Sequence, residues 1–210
     1  MKTRLRFLMP IVLIFAVYAC YPGGAEYVDE LDTSISIFDD SYNWKNLDGK
    51  TYSLPEEILY VKNGEEVDDP QRIHDADILG QMRSELGALG MTEAKTIAAD
   101  TSVIVAISII EQNNSGAAWI PGGGWWGGYY PWYPDWGWGG YYPWYPVYYS
   151  YKTGSVVIEM ADYENKNEAE ETVPLVYDGV LDGLLQGSDK YIGDRIERGI
   201  DELFNQAPFN

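Results

Sequence analysis

The sequence predicts an α+β domain: an antiparallel or mixed sheet with two helices packed on one face and a long aromatic, Gly/Pro-rich insertion between strands. Three observations predict it. Short β-branched runs bounded by turn residues recur between residues 33 and 176. Two segments, 75–89 and 189–205, carry apolar residues at helical spacing. Their order along the chain is strands, helix, strands, helix.

Thr33 to Phe38 alternates Ile35 and Ile37 with Thr33, Ser34 and Ser36, and reads as the first strand. Lys50 to Leu54 reads as a second, ended by Pro55, and Ile58 to Val61 extends the sheet. Asn63-Gly64 and the acids after it, Glu65-Glu66-Val67-Asp68-Asp69, read as an exposed turn and a solvated loop. Asp75 to Leu89 is the first helix, with Ile78, Leu79, Met82, Leu86 and Leu89 on one face, Asp75 or Asp77 as its cap and Gly90 at its end. Thr101 to Ile110 is β-branched and almost uninterruptedly apolar, which predicts a central strand. Val147 to Tyr151 and Ser155 to Met160 read as two strands joined by a tight turn at Thr153-Gly154. Val173 to Val176 is a further strand. Asp189 to Asn205 is the second helix, lined by Ile192, Ile196, Ile200, Leu203 and Phe204 and followed by Pro208.

Residues 119–151 hold seven of the eight tryptophans and nine of the 18 tyrosines. Gly127 to Pro134 reads Gly-Gly-Tyr-Tyr-Pro-Trp-Tyr-Pro, and Gly139 to Pro146 repeats it letter for letter. Asp135 is the only charge between Ala117 and Tyr151. Recurrent proline prevents a regular helix and confines any strand to an edge, so extended structure is expected. A connection this long tends to be functional or disordered. The aromatics can pack on the protein's own sheet, form a stacking surface for a sugar, peptide or protein, or meet a lipid interface. The sequence does not separate the first two. The residues available for ligand or partner contact are Trp125, Trp126, Tyr130, Trp132, Tyr133, Trp136, Trp138, Tyr142, Trp144 and Tyr145.

The start of the chain carries its own signal. Lys2, Arg4 and Arg6 precede an apolar run from Phe7 that closes on Val17-Tyr18-Ala19-Cys20. A basic region, a short apolar run and a small residue read as a secretory signal. The run is about a dozen residues, against roughly 20 for a membrane-spanning helix. Val17 to Cys20 resembles a lipobox, the site where bacterial signal peptidase II cuts before a diacylated cysteine. Residues 1–19 are then the signal peptide, Cys20 the lipidated first residue, 20–31 a lipidated N-terminus and tether beginning Tyr21-Pro22-Gly23-Gly24, and 32–210 one domain with its aromatic repeat insertion at 119–146. Cys20 is the only cysteine, so no intramolecular disulfide forms, and lipidation gives it a use.

After that cleavage the chain holds 11 Lys and Arg against 33 Asp and Glu, a formal charge of −22. Nucleic-acid binding needs phosphate neutralisation by basic residues and is excluded, as is charge attraction to an anionic membrane surface. His74 is the only histidine, beside Asp75 at a helix start, so a histidine metal site is excluded and no metal or cofactor is expected. A Ser-His-Asp triad would have to use His74, and no Gly-x-Ser-x-Gly turn is present. Asp39, Asp40, Asn43 and Asp48 share one loop without calcium-loop spacing and read as a solvated turn. Gly122-Gly123-Gly124 is not followed by Lys-Ser or Lys-Thr and is not a phosphate loop. Paired carboxylates for glycoside cleavage arise by chance among 33 acids and carry little weight.

The lipobox, the Cys20-Tyr21-Pro22 start, Tyr42 to Leu54 with Lys50-Thr51-Tyr52, and the ending Arg195-Ile196-Glu197-Arg198-Gly199-Ile200 through Phe204-Asn205-Gln206-Ala207-Pro208 resemble the lipoproteins carrying domain of unknown function 4136, common in Bacteroidetes. The aromatic insertion before a Tyr-Tyr-Ser-Tyr strand is similar to members of that group. The resemblance implies an α/β domain on an envelope lipoprotein and passes on no catalytic or binding residues. One departure is the stretch Val176 to Leu181, where members often carry a tryptophan, and it leaves the end of that strand open. The absence of acids from Tyr21 to Ala25 favours the periplasmic face of the outer membrane over the cell surface. The expectation is a non-enzymatic envelope lipoprotein that presents an aromatic Trp/Tyr platform to a protein, peptide or glycan. The alternative is a structural envelope lipoprotein whose aromatic segment caps its own sheet. A carboxylate-dependent glycan-active enzyme ranks third.

Overall fold

The structure, a computed structural model, describes residues 27–63, 65–94, 101–112, 116–120, 137–139, 145–149, 153–169 and 172–209. The chain divides into two compact units between Leu31 and Asp32. Of the first, Tyr27 to Leu31 are described, and Val28–Leu31 form one 3-10 turn. The expected signal peptide, Cys20 and most of the tether lie outside the described residues.

The second unit runs β1 (Thr33–Phe38), β2 (Thr51–Ser53), β3 (Leu59–Lys62), β4 (Glu65–Glu66), α1 (Asp75–Ala88), β5 (Thr92–Glu93), β6 (Val103–Gln112), β7 (Gly116–Ile120), β8 (Gly137–Gly139), β9 (Tyr145–Tyr149), β10 (Thr153–Asp162), β11 (Thr172–Leu184) and α2 (Asp189–Gln206). Among the described residues nine strands form one mixed sheet, whose main path is β1-β11-β10-β6-β2-β5. β1, β11, β10 and β6 are antiparallel neighbours. β2 and β3 lie parallel to β6 along its other edge, at Val103–Ile104 and Ser108–Glu111. The fold is thus α+β with a mixed sheet, as the periodicities predict, and the Val103–Gln112 strand is central because it is paired along both edges.

Side-chain alternation gives the sheet two faces. Val103, Val105 and Ile107 of β6, Val156, Ile158 and Met160 of β10, and Tyr177 and Leu181 of β11 join the buried residues of both helices in one cluster. α1 contributes Ile78, Leu79, Met82 and Leu86, and α2 contributes Ile200, Leu203 and Phe204. A smaller cluster of Leu59, Val61, Ala106, Ile110, Val157 and Val180 lies on the second face and contains no helical residue.

Several expected boundaries change. Thr153-Gly154 is not a turn: both residues sit inside β10, paired with Gln112 and Glu111 on one side and Leu184 and Gly183 on the other. The strand expected at Val173 to Val176 runs on to Leu184, because β10 pairs with it from Leu175 to Leu184 and β1 from Tyr177 to Asp182, and the polar Asp178 and Asp182 are accommodated in the ladder. Glu65 and Glu66 are exposed, as expected of the acidic run, yet they pair as a two-residue strand with Lys62 and Val61. Neither Asp75 nor Asp77 caps α1. His74 holds the N-cap position without a side-chain bond, and the Asp75 carboxylate instead accepts from Tyr60 Oη at 2.6 Å and Arg72 Nη1 at 3.0 Å. α2 is capped as such helices usually are: Ser188 Oγ accepts from the Tyr191 N–H.

Candidate functional site

The aromatic insertion is rooted in the middle of the sheet. β6 and β10 pair from Val103↔Asp162 to Gln112↔Thr153. β7 and β9 pair from Gly116↔Tyr149 to Ile120↔Tyr145. The two ladders share one register, with three residue positions, 113–115 and 150–152, between them on each side. β8 forms a third attachment: Gly137 to Gly139 pair in parallel with Thr172 to Pro174 at the start of β11. Trp138 and Tyr145 are therefore placed at strand positions. Cys20, Trp125, Trp126, Tyr130, Trp132, Tyr133, Trp136, Tyr142 and Trp144 lie outside the described residues. Repeated proline is compatible with this ribbon, because each of its two strands keeps an outer edge.

A second candidate, which the sequence did not single out, is a cleft of about 380 Å³ on the helix-covered face. Its floor is one cross-strand row, Ser34, Leu181, Val156, Ile109 and Tyr60, brought side by side by the ladders of five strands. The next row toward the strand ends is Gly183, Gly154 and Glu111. The glycines make room for what lies on them. A Cβ on Gly183 would fall on the Asp32 carboxylate and 2.8 Å from Arg195 Nη2, and one on Gly154 would stand 2.7 Å from the Leu185 side chain. Ile192, Ile196 and Arg195 of α2, with Ile73 and His74 before α1, form the walls.

The polar groups at this cleft and behind its floor hold one another. The Arg195 guanidinium, 6% exposed, donates to both oxygens of Asp32, from Nε at 2.7 Å and from Nη2. Ser155, buried, donates its hydroxyl to Asp182 Oδ1 at 2.7 Å. Burial raises the Asp182 pKa above the usual carboxylate range, Asp32 adds to the rise, and the Ser155 bond opposes it. Glu111 forms an ion pair with Lys62 at 3.1 Å. His74 stands against α2 where Gly193 lets the helix approach, 3.5 Å from the position of a Cβ there. Ser155 and Asp182 alternate with the floor residues Val156 and Leu181, so their side chains turn to the second face, away from His74, and the serine proton is directed at the carboxylate. This is not the relay a nucleophilic serine needs.

The second face carries a different feature. Glu159 and Asp178 stand directly opposite each other in the β10–β11 ladder, and each is 2% exposed. Asp178 Oδ1 has no hydrogen-bond partner, and burial pushes the Asp178 pKa up to about 7. Acids closed off in this way differ from the pair lining a cleft that glycoside cleavage uses. Among the described residues no group of three or more His, Cys, Asp or Glu side chains is arranged to hold a metal ion. Asp39 Oδ1 instead accepts from the Ser41 N–H and hydroxyl, which closes the acidic loop as a local turn.

The sequence matches the family described as Domain of unknown function (DUF4136) over residues 36–209. It is similar in structure to a DUF4136 family protein from Bacteroides thetaiotaomicron VPI-5482, with a TM-score of 0.58 and 24% identity over 85% of this chain and 96% of that one. A weaker likeness, at TM-score 0.46 and 11% identity, is to a PDZ domain protein from Parabacteroides distasonis, covering 85% of this chain and 37% of that one. A search of curated proteins gave no match.

Proposed function

Since the chain belongs to the family described as Domain of unknown function (DUF4136), which carries no activity to transfer, we propose from its own residues that it is a lipid-anchored cell-envelope protein that works by binding rather than by catalysis. Its contact element is the Trp/Tyr insertion, and its partner is a protein, peptide or glycan. One observation carries this reading. The insertion leaves and re-enters the sheet through the β7–β9 ribbon, which continues the register of the central β6–β10 hairpin. An aromatic surface built on paired strands is held in place before a partner arrives, which lowers the ordering cost of binding. The closed polar pairs, Arg195 with Asp32 at the cleft and Ser155 with Asp182 on the second face, support a non-catalytic reading.

The test uses the soluble chain without residues 1–20 on glycan and peptide arrays. Binding lost or weakened at least tenfold in a Trp132→Ala, Trp144→Ala double variant supports the platform. Equal binding by the variant to every ligand detected removes it. The anchor is tested separately. Full-length protein is expected in the membrane fraction, and Cys20→Ser in the soluble envelope fraction; the same fraction for both would refute lipidation at Cys20.

A second reading, in which the aromatic segment serves the protein's own fold, draws on the β8–β11 pairing. That pairing ties the middle of the insertion to the body of the sheet.

A further inference from the structure

We infer that the β7–β9 ribbon turns back and lies across the second face of the sheet, so that the fold has three layers: helices, sheet and aromatic ribbon. The inference takes the contact element proposed above and adds where it rests. Chain length carries the argument. The ribbon leaves the sheet beside Gln112 and Thr153, whereas β8 pairs at the opposite end of the neighbouring strand, beside Thr172 to Pro174. From Thr153 to Asp162, the end of β10 nearer to Pro174, is nine residue steps, or about 30 Å at roughly 3.3 Å per step. Tyr145 precedes Thr153 by eight steps, so a ribbon running straight on would put it about 26 Å farther out. Gly139 and Tyr145 would then stand about 55 Å apart. Only six steps join them, and at no more than about 3.6 Å each these reach roughly 22 Å. The ribbon therefore reverses over the sheet.

Burial identifies the face. Both helices occupy the first face. On the second, Ala106, Ser108, Val157, Glu159, Asp178 and Val180 are all buried, although no helical residue joins their cluster. Ile35, on the same face of edge strand β1 and paired with Val180, is 37% exposed while Val180 is 3% exposed. The cover thus lies over the central strands and thins toward β1.

The experiment introduces a single thiol, Val180→Cys or Ile35→Cys, into the soluble chain lacking residues 1–20, and follows its reaction with a maleimide. The Val180 thiol is expected to react at least tenfold more slowly than the Ile35 thiol. Replacing residues 116–149, both ribbon strands included, by a short turn is expected to bring the Val180 thiol to within threefold of the Ile35 rate. Equal rates in the intact chain, or protection that survives the replacement, overturn the inference. Should the shortened chain fail to fold, acrylamide quenching of the intact chain decides. Seven of its eight indoles lie in residues 119–144, so quenching close to that of free indole overturns the placement, and weak quenching supports it. Neither readout depends on a partner, so loss of array binding would fail the platform and leave the placement standing.

Discussion

A carboxyl held away from water with an oxygen left unbonded favours its neutral form. Asp178 is such a group, with burial raising its pKa from 3.8 to about 7. The sign of the linkage follows. Below the unfolded value both states hold the proton, and Asp178 imposes no penalty on folding. As pH rises from 3.8 toward 7 the unfolded chain releases the proton first, so the fold loses stability through that window. Above about 7 the full penalty stands, on the order of 4 kcal/mol. Asp178→Asn removes the titration while keeping the shape. The expected outcome in urea denaturation is a variant whose advantage over the parent grows between pH 4 and pH 8. An advantage that stays flat across that range would show that Asp178 does not titrate in the window. Nothing local in Val176-Tyr177-Asp178-Gly179 announces this, because the burial that raises the pKa comes from the assembled fold. Arg195 and Asp32 show the same limit: 163 positions separate them, and only the approach of α2 to the start of β1 makes them partners.

Helix α1 ends at a residue that no side chain suits. Gly90 has φ +80°, and its Cβ would enter the Asp48 carboxylate. Gly80, within the same helix, has nothing within 4 Å of such a Cβ. The two substitutions therefore go in opposite directions. Gly90→Ala is expected to destabilise by about 1–2 kcal/mol, and Gly80→Ala to stabilise by about 0.5–1 kcal/mol. Thermal unfolding of the pair measures both, and shifts of the same sign would refute this account of the helix end. Elements of this kind were legible in the sequence because their signals are local: a 3.6-residue apolar period and a glycine just past the end of α1. Thr153-Gly154 misled for the same reason. The dipeptide suits a turn locally, and the ladder with Gln112 and Glu111 overrides it. The short motifs at Tyr42 to Leu54 and Ala207-Pro208, far apart in sequence, meet in the core. Trp44 stacks edge-on against Phe209 at 5.2 Å and donates its indole N–H to the Asp39 carbonyl at 2.8 Å.

Across the molecule, protection should follow the number of neighbours each strand has. Among the described residues β6 and β10 are paired on both sides, whereas β1 pairs with β11 alone and β5 pairs over two residues. Native-state hydrogen exchange is expected to be slowest in β6 and β10 and at least tenfold faster in β1 and β5. Equal protection of β1 and β6 would contradict the strand order. This order, like the cleft, was only partly visible beforehand. The sequence marked Thr101 to Ile110 as a central strand, and the structure places that strand at Val103–Gln112. The cleft floor draws one residue from each of five strands, a coincidence that no spacing along the chain encodes. The shared register of the β6–β10 and β7–β9 ladders has a last consequence, for how such a chain can change its length. One residue added to either arm would turn every later side chain to the wrong side of its pair. Additions between residues 120 and 145 disturb no pair of the β7–β9 ladder, and doubling the length of a flexible loop costs only about 0.6 kcal/mol in closure entropy. The duplicated Gly-Gly-Tyr-Tyr-Pro-Trp-Tyr-Pro unit begins in that interval, the one stretch between the two ladders' arms where a gene duplication leaves the register intact.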